Sequence, residues 1–219
     1  MTLPLPRPRG LLFDWDNTLV DTWAVIHHAL NATLEAMGQA TWTLEETRAR
    51  VRASARDSFP KLFGDRAEEA MAVFYGCYER DHLSHLRALP GVQEMLARLA
   101  KGSHYLGVVS NKKGSILRRE AAHLGWDGWF GCLVGAEDAA ADKPARAAVD
   151  LALEGSGLAA GPEIWFVGDT DIDMTCAHAA GCTPILLRET PPAPGEFGAH
   201  PPSRHAETCA ALMTCIREV

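Results

Sequence analysis

Short apolar runs alternate with amphipathic segments along most of this chain. The apolar runs lie at 11–13, 105–109, 130–134, 164–167 and 184–187, and segments with the three- and four-residue spacing of helices separate them. Continuous apolar runs are typical of strands that are buried on both faces. The sequence therefore predicts an α/β fold with a doubly wound, parallel five-stranded sheet and helices on both faces.

Helical patterns fill the segment after the first strand. Apolar residues recur at helical spacing over 23–37. A second helix is predicted from Thr43, because Glu46 stands three residues later and completes a capping box. Residues 54–60 interrupt the pattern, and helix is expected again over 65–89.

The change of pattern predicts two domains. Residues 20–88 contain no convincing strand, so we expect a small helical cap domain there. The core is then built from residues 1–19 and 89–219. Residues 190–203 are rich in proline and predict a surface loop, followed by a last helix over 205–216.

The first strand runs directly into acidic residues. Residues 11–13 are followed by Asp14, and Asp16 stands two positions later in Asp-Trp-Asp-Asn-Thr. Ligands of open α/β sheets bind at the carboxyl ends of the strands. Two neighbouring carboxylates repel each other unless a cation lies between them, and oxygen ligands suit Mg²⁺. A magnesium site and a solvated acidic turn both fit this stretch.

The fourth strand also ends in acids. It runs into Gly-Asp-Thr-Asp-Ile-Asp, which contains Asp169, Asp171 and Asp173. An acidic helix start is favoured by the helix dipole and needs no metal. The alternative is that two acidic strand ends of one parallel sheet converge on one cation.

Two further positions are candidates for anion binding. Ser110 and Asn111 follow the second strand, where backbone N–H groups at a helix start can bind an anion, although both residues are also ordinary helix caps. Lys143 precedes Pro144 at a predicted helix start, where the dipole disfavours a cation. A solvated surface lysine is the alternative.

Together, and in their order along the chain, the four motifs at Asp14, Ser110, Lys143 and Asp169 resemble those of the haloacid dehalogenase-like superfamily. The fourth, Gly-Asp-x-x-x-Asp followed by Ala-x-x-Ala-Gly, resembles the form in phosphatases similar to phosphoglycolate phosphatase. The resemblance implies a Rossmann-like core with a C1-type helical cap. Trp15-Asp16-Asn17 departs from the usual Phe-Asp-Gly, but asparagine tolerates the left-handed backbone that glycine favours.

The resemblance also implies catalytic roles. Asp14 is the nucleophile that forms an aspartyl-phosphate, and Asp16 is the general acid and base. Ser110 and Lys143 neutralise the phosphoryl oxygens. Asn111 offers its backbone N–H and orients the nucleophile.

The implied cofactor is Mg²⁺. Its ligands are the Asp14 carboxylate, the Asp16 carbonyl and Asp169, while Asp173 binds the ion directly or through water. The predicted activity is the hydrolysis of a small phosphate monoester by a phosphoglycolate phosphatase-like enzyme.

Other members of the superfamily offer alternatives. Dehalogenases and phosphonate-cleaving members lack the second aspartate, and the latter use a cap lysine, for which Lys61 is the only candidate here. A phosphomutase similar to β-phosphoglucomutase keeps Asp16 and stays possible. A non-catalytic binding protein of the same fold is the remaining alternative.

Substrate choice is expected to lie in the cap, which closes over the site. Arg52, Arg56 and Lys61 lie in or near the interrupted stretch between cap helices. We expect Arg56 to bind a substrate carboxylate or a second phosphate. A solvent-facing arginine is the alternative.

Composition narrows the classes of partner. The net charge is −7, from 21 basic and 28 acidic residues without basic runs, which disfavours nucleic acid and anionic membranes as partners. No apolar run approaches the ~20 residues of a membrane span. Six cysteines without a Cys-x-x-Cys pair predict reduced, mostly buried thiols, and the proline-rich stretch 1–10 lacks a secretory apolar core. We expect a cytoplasmic monomer or small homo-oligomer that acts on a small phosphorylated metabolite.

Overall fold

A computed structural model describes residues 5–51 and 53–219. A parallel sheet of six strands lies at its centre, and helices cover both faces, which confirms the predicted α/β class. The strands are β1 (Gly10–Phe13), β2 (Val20–Asp21), β3 (Arg87–Ala88), β4 (Tyr105–Lys113), β5 (Cys132–Ala136), β6 (Ile164–Gly168), β7 (Thr183–Leu187) and β8 (Arg204–Ala206). The helices are α1 (Trp23–Ala36), α2 (Leu44–Arg50), α3 (Ala55–Phe63), α4 (Ala67–His85), α5 (Val92–Leu99), α6 (Gly114–His123), α7 (Ala147–Leu153), α8 (Asp171–Ala180) and α9 (Cys209–Arg217), with short 3-10 helices at Gly64–Arg66 and Asp127–Trp129.

Strand β1 lies inside the sheet, whose order is β5-β4-β1-β6-β7-β8. Phe13 is paired with Val108 of β4 on one side and with Val167 of β6 on the other. Leu11 and Phe13 pack into the apolar core on one face, whereas Leu12 packs into the core on the opposite face. The buried strand therefore places the residues after Phe13 between the carboxyl ends of β4 and β6.

The sheet contains one strand more than the five predicted. Strand β8 pairs in parallel with β7 at the edge of the sheet, and the last helix begins at Cys209 rather than at residue 205. Only one of the three β8 residues is buried, so this strand has no apolar run that could reveal it. Strand β5 also begins two residues later than predicted, at Cys132.

In the described part of the segment between β2 and β3 there are four α-helices and one short 3-10 helix. The predicted capping box is present at the start of α2, where Thr43 and Glu46 exchange hydrogen bonds. The predicted interruption at 54–60 is wrong, because α3 covers most of it. Ser54 caps this helix through the N–H of Asp57, and apolar packing inside the helical segment stabilises it.

Strands β2 and β3 form a two-residue antiparallel ribbon at the two ends of the helical segment. Val20 pairs with Ala88, and Asp21 pairs with Arg87. The prediction that 20–88 contains no strand is therefore wrong at its edges. Two-residue strands are too short to produce a sequence pattern.

Two general features complete the fold. Among the described helices, none combines the length and the apolar character that crossing a membrane requires. All six cysteines are free thiols, and Cys176, Cys182 and Cys209 are buried while the other three are partly exposed. The stretch 1–10, for which we predicted no secretory core, lies partly outside the described residues.

Candidate active site

The turn after β1 holds the first acidic motif. The Asp14 N–H donates to the Val167 carbonyl of β6 at 2.8 Å, which ties the two strand ends together. Asn17 has a φ of +64°, so it occupies the left-handed conformation that we expected of it in place of glycine. Its N–H donates to the Val20 carbonyl at 2.7 Å and closes the turn.

The two acidic strand ends meet. Asp14, Asp169 and Asp173 each contribute a carboxylate oxygen, and these three oxygens lie within 4.8 Å of one another. The Thr18 hydroxyl lies 3.3 Å from Asp14 Oδ2 and 3.1 Å from Asp169 Oδ1, so it bridges the strand ends. The predicted convergence of acids that are distant in sequence is therefore present.

Asp173 is held in place by hydrogen bonds from Thr170 and by close packing against Gly168. Its Oδ2 accepts hydrogen bonds from the Thr170 N–H at 3.0 Å and the Thr170 hydroxyl at 2.8 Å, which caps α8. A Cβ atom on Gly168 would lie 2.3 Å from Asp173, so only glycine fits at the end of β6. The last residue of the strand thereby lets α8 begin close to the sheet.

Lys143 is the buried cation of the cluster. Its Nζ lies 2.6 Å from Asp14 Oδ1 and 2.7 Å from Asp173 Oδ1, and the residue is 2% exposed. The predicted helix start at Pro144 is wrong, because α7 begins only at Ala147. Lys143 thus lies in the preceding loop, where the Asn111 amide donates to its carbonyl at 3.2 Å.

The electrostatics of the cluster favour a divalent cation. Burial raises the pKa of Asp14 to about 7 and the pKa of Asp169 well above its usual range, and neighbouring carboxylates add to both shifts. Burial opposes the charge on Lys143, but Asp14 and Asp173 outweigh it and raise the pKa of its ammonium. Three carboxylates against one ammonium leave two negative charges when all are ionised. Hard oxygen donors with that excess charge suit Mg²⁺.

Ser110 lies within β4, the strand next to β1, and is 4% exposed. Its Oγ accepts from the Lys112 N–H at 3.1 Å, which leaves the hydroxyl proton for another acceptor. The strand continues to Lys113, and α6 begins at Gly114, four positions after Ser110. An anion at this position would meet the serine hydroxyl rather than a helix N-terminus.

A cavity of about 530 Å³ lies over these strand ends. Asp14, Asp16 and Lys143 line its floor, and side chains of the helical segment, such as Trp23 and Phe74, line its upper part. The acidic residues and the predicted specificity segment therefore face the same space.

The sequence and the fold both match known proteins. Residues 11–187 match the model of a family described as haloacid dehalogenase-like hydrolase. The chain belongs to this family.

Two relatives of this hydrolase are named phosphoglycolate phosphatase. The one from Pectobacterium atrosepticum is 33% identical, and the match covers 81% of this chain and 79% of the relative. The one from Photorhabdus laumondii is 30% identical, and the match covers 82% of this chain and 80% of the relative. A solved structure from Bacteroides fragilis, described as haloacid dehalogenase-like, superposes with a TM-score of 0.85 at 23% identity over 94% of this chain and 99% of that one. The predicted family and enzyme class are confirmed.

The hydrolase contains a buried cation that the sequence analysis did not single out. Lys112 Nζ lies 2.8 Å from Asp16 Oδ1 and donates to both Glu120 oxygens, at 2.9 and 2.8 Å. It also donates to the Tyr78 hydroxyl. Asp16, the expected acid and base, is therefore held by an ammonium from β4, which in turn is anchored on α6 and α4.

Glu120 is the anchor of this network and is fully buried. The Trp15 indole donates to it at 2.7 Å, and His82 Nδ1 lies 2.8 Å from its other oxygen. Burial opposes the charge of Glu120, but Lys112 and the hydrogen bonds outweigh burial and lower the pKa to about 2. The indole N–H of Trp15, which the usual phenylalanine lacks, thus has a partner.

A sequence signal for this network exists. Glu120 lies four residues after Ile116 and next to Ala121, on the apolar face of α6. An acid on the buried face of a helix requires a cationic partner. Lys112, which follows the Ser110-Asn111 motif, is the nearby cation at a strand end.

Arg56, the expected substrate contact, already has an acidic partner. Its Nη2 lies 2.6 Å from Asp142 Oδ1, and the Asp142 side chain is 1% exposed. Arg56 is not among the described residues that line the cavity, whereas Lys61 is. Its role in substrate binding stays a prediction, and Arg52 lies outside the described residues.

Proposed function

We propose that this hydrolase is a Mg²⁺-dependent phosphatase that cleaves a small phosphate monoester through an aspartyl-phosphate. The observation that carries this proposal is the position of Asp14. Its carboxylate lies at the end of a rigid buried strand, at the floor of a cavity, 2.6 Å from a buried ammonium and beside two further acids. Phosphoryl transfer depends mainly on such positioning and charge neutralisation.

In the first step, Asp14 attacks phosphorus in line and the ester oxygen leaves. The Lys143 ammonium and the Ser110 hydroxyl neutralise charge on the phosphoryl oxygens. Lys143 also keeps Asp14 in its attacking orientation through their ion pair. Asn111 supports this arrangement, because its amide fixes the Lys143 backbone.

Asp16 serves both halves of the reaction. It gives a proton to the leaving oxygen in the first step, then removes a proton from the water that hydrolyses the aspartyl-phosphate. Lys112 holds one of its oxygens, which restricts the side chain to one orientation. The same carboxylate thus acts first as acid and then as base.

The residues that would hold Mg²⁺ are the Asp14 carboxylate, the Asp16 carbonyl and Asp169, with Asp173 binding directly or through water. A bound Mg²⁺ supplies charge neutralisation at the phosphoryl group. Asp173 also holds Lys143 at 2.7 Å, so it links the cation site to the ammonium.

We further propose that residues 20–88 form a cap over a core of residues 1–19 and 89–219, and that the protein is a cytoplasmic monomer or small homo-oligomer. The relatives named phosphoglycolate phosphatase make phosphoglycolate the first metabolite to test. The ribbon of β2 and β3, which brings both ends of the helical segment together, supports the division into two domains.

The proposal is tested by measuring phosphate release from p-nitrophenyl phosphate with Mg²⁺ and with excess chelator. We expect release that requires the metal and that Asp14→Asn abolishes. Equal release by wild type and Asp14→Asn would exclude Asp14 as the nucleophile. No release from any phosphate ester in the presence of Mg²⁺ would contradict the proposed function itself.

A further inference from the structure

The cavity over the strand ends is divided into a polar floor and an apolar upper part. The acidic residues that line it within the described chain are Asp14, Asp16, Asp169 and Asp173, and all four lie at the floor. The upper part is formed by the helical segment and α6. Its apolar lining comes chiefly from Trp23, Ile26, Trp42, Phe59, Phe74 and Tyr75.

Several of these aromatic side chains are only half-buried. Trp23, Trp42, Phe74 and Tyr75 each keep part of their surface accessible. Phe74 contacts the rings of Phe59 and Tyr75 edge to face, at 5.5 and 5.4 Å between centroids. The rings thus support one another and present a preformed apolar wall to the cavity.

We propose that the part of the substrate beyond the phosphate is an aromatic or similarly apolar group, which this wall binds. The inference rests on the proposed phosphatase function and specifies its substrate class. Pockets of roughly 300–1,000 Å³ lined mainly by apolar side chains bind drug-sized ligands. At about 530 Å³, this cavity has room for far more than a two-carbon acid such as phosphoglycolate.

The polar groups of the upper part argue against a sugar. Apart from the tyrosines, Ser58 is the described residue of the helical segment that brings a hydroxyl to the cavity. A bound sugar would lose hydrogen bonds to water and would find few partners for its many hydroxyls here. A flat apolar group has no such requirement.

Two cations beside the apolar wall, Arg50 and Lys113, are engaged with aromatic rings, whereas Lys61 lines the cavity without a described ring contact. The Arg50 guanidinium lies 4.6 Å from the centre of the Trp42 ring, and Lys113 Nζ lies 4.8 Å from the centre of the Tyr75 ring. Arg56, the residue expected to bind a substrate carboxylate, pairs with Asp142 instead. A substrate carboxylate would therefore have Lys61 as its available cation, whereas a ring would have the whole apolar wall.

The test compares esters of similar leaving-group acidity but different bulk. Values of kcat/KM for benzyl phosphate, ethyl phosphate and phosphoglycolate are measured with Mg²⁺. We expect kcat/KM for benzyl phosphate to exceed the values for the other two esters by at least about tenfold. Aromatic contacts, and one or two extra methylenes that fit an apolar pocket, give discrimination of that order. A preference for phosphoglycolate would overturn the inference and leave the phosphatase function intact.

Two variants test the wall directly. Trp23→Ala and Phe74→Leu are expected to reduce the ratio of benzyl to ethyl kcat/KM by about three- to tenfold, because each removes a ring face from the cavity. Phe63→Leu is the matched control, since Phe63 is buried among the same helices but does not line the cavity. An equal loss for both esters would mean that the rings only exclude water, which contradicts the inference. Absence of turnover with every ester would refute the phosphatase proposal, and the inference with it.

Discussion

Lys112 and Glu120 form an ion pair in which neither side chain reaches solvent appreciably. The Lys112 ammonium contacts both carboxylate oxygens, and the two side chains are 4% and 0% exposed. Asp16 lies on the other side of the same ammonium. One buried cation therefore joins the interior of the fold to Asp16, the proposed acid and base.

Breaking this pair should destabilise the fold. We expect Glu120→Ala to lower the free energy of unfolding by about 3–5 kcal/mol, because it leaves Lys112 buried with one carboxylate fewer. Urea unfolding monitored by circular dichroism measures the change. Glu79→Ala removes a partly exposed pair with Arg119 and serves as the control, with an expected loss of at most about 1 kcal/mol.

The pair also predicts a response to acid. The pKa of Glu120 is lowered from 4.5 to about 2, so the folded state binds fewer protons than the unfolded state between these values. Its contribution to stability is complete above pH 4.5 and decreases as the pH falls toward 2. Glu120→Gln should flatten this part of the stability curve, and an unchanged slope would contradict the assignment.

Lys112 should affect turnover more than substrate binding. The double variant Lys112→Met/Glu120→Gln removes both charges of the pair, so that neither partner is left buried and unpaired. It also leaves Asp16 without its ammonium. We expect kcat to fall by about 10- to 100-fold with little change in KM, since general acid–base catalysis depends on the orientation of Asp16. Glu120→Gln alone keeps Lys112 next to Asp16 and should retain most of kcat. If both variants lose kcat equally, Lys112 has no separate effect on Asp16.

Asp14→Asn should separate activity from stability. Loss of the nucleophile is expected to reduce kcat by at least about a thousandfold. Burial raises the pKa of Asp14, so its ionised form is unfavourable in the metal-free fold, and the neutral amide should keep or increase the melting temperature. Thermal unfolding without Mg²⁺ at neutral pH tests this, and a lower melting temperature would argue against the electrostatic explanation.

Metal binding and pH should be linked. Between pH 3.8 and about 7, folded Asp14 holds a proton that the unfolded chain has released, so metal-free stability should fall as the pH rises through this window. Mg²⁺ requires the ionised carboxylates, so its stabilising effect should be larger at about pH 8 than at about pH 5.5. Melting temperatures with and without Mg²⁺ measure the difference. In the Asp169→Asn variant, we expect Mg²⁺ to give no stabilisation at either pH.

The pair of Arg56 and Asp142 can be tested as a unit. If Arg56 binds substrate, Arg56→Ala should raise KM while Asp142→Asn does not. If Arg56 acts only by holding the loop before Lys143, the two variants should have the same effect on kcat and KM. An unchanged KM in Arg56→Ala across phosphorylated acids and sugars would end the substrate-binding prediction.

The sequence predicted those features that depend on strong local signals. Buried strands such as β1 and β6 follow from continuous apolar runs, and the capping box at Thr43 follows from one residue spacing. Helix α3 was missed because it contains Pro60, although Ser54 caps it and the buried Phe59 and Phe63 stand at helical spacing. Strand β8 was missed because an exposed edge strand needs no apolar run.

The site, like the fold, has features that the sequence could predict and features that it could not. Asp14 and Asp169 are brought together as expected, because they follow the neighbouring strands β1 and β6. Lys143 reaches them from a loop, and only the family resemblance had placed it in the site. Contacts made by side chains behind those that line the cavity could not be derived from the spacing of residues in the sequence. The partners of Lys112 come from three different elements, and Arg56 found an acid 86 residues away.

The ribbon of β2 and β3 brings the two chain crossings between the helical segment and the sheet side by side. Insertions and deletions in the loops between residues 23 and 85 are therefore accommodated without rethreading the strands, while Tyr78 and His82 stay bound to Lys112 and Glu120. The side chains of the upper cavity wall from this segment are thus encoded in one uninterrupted stretch of the gene, separate from the codons for Asp14, Asp169 and Lys143.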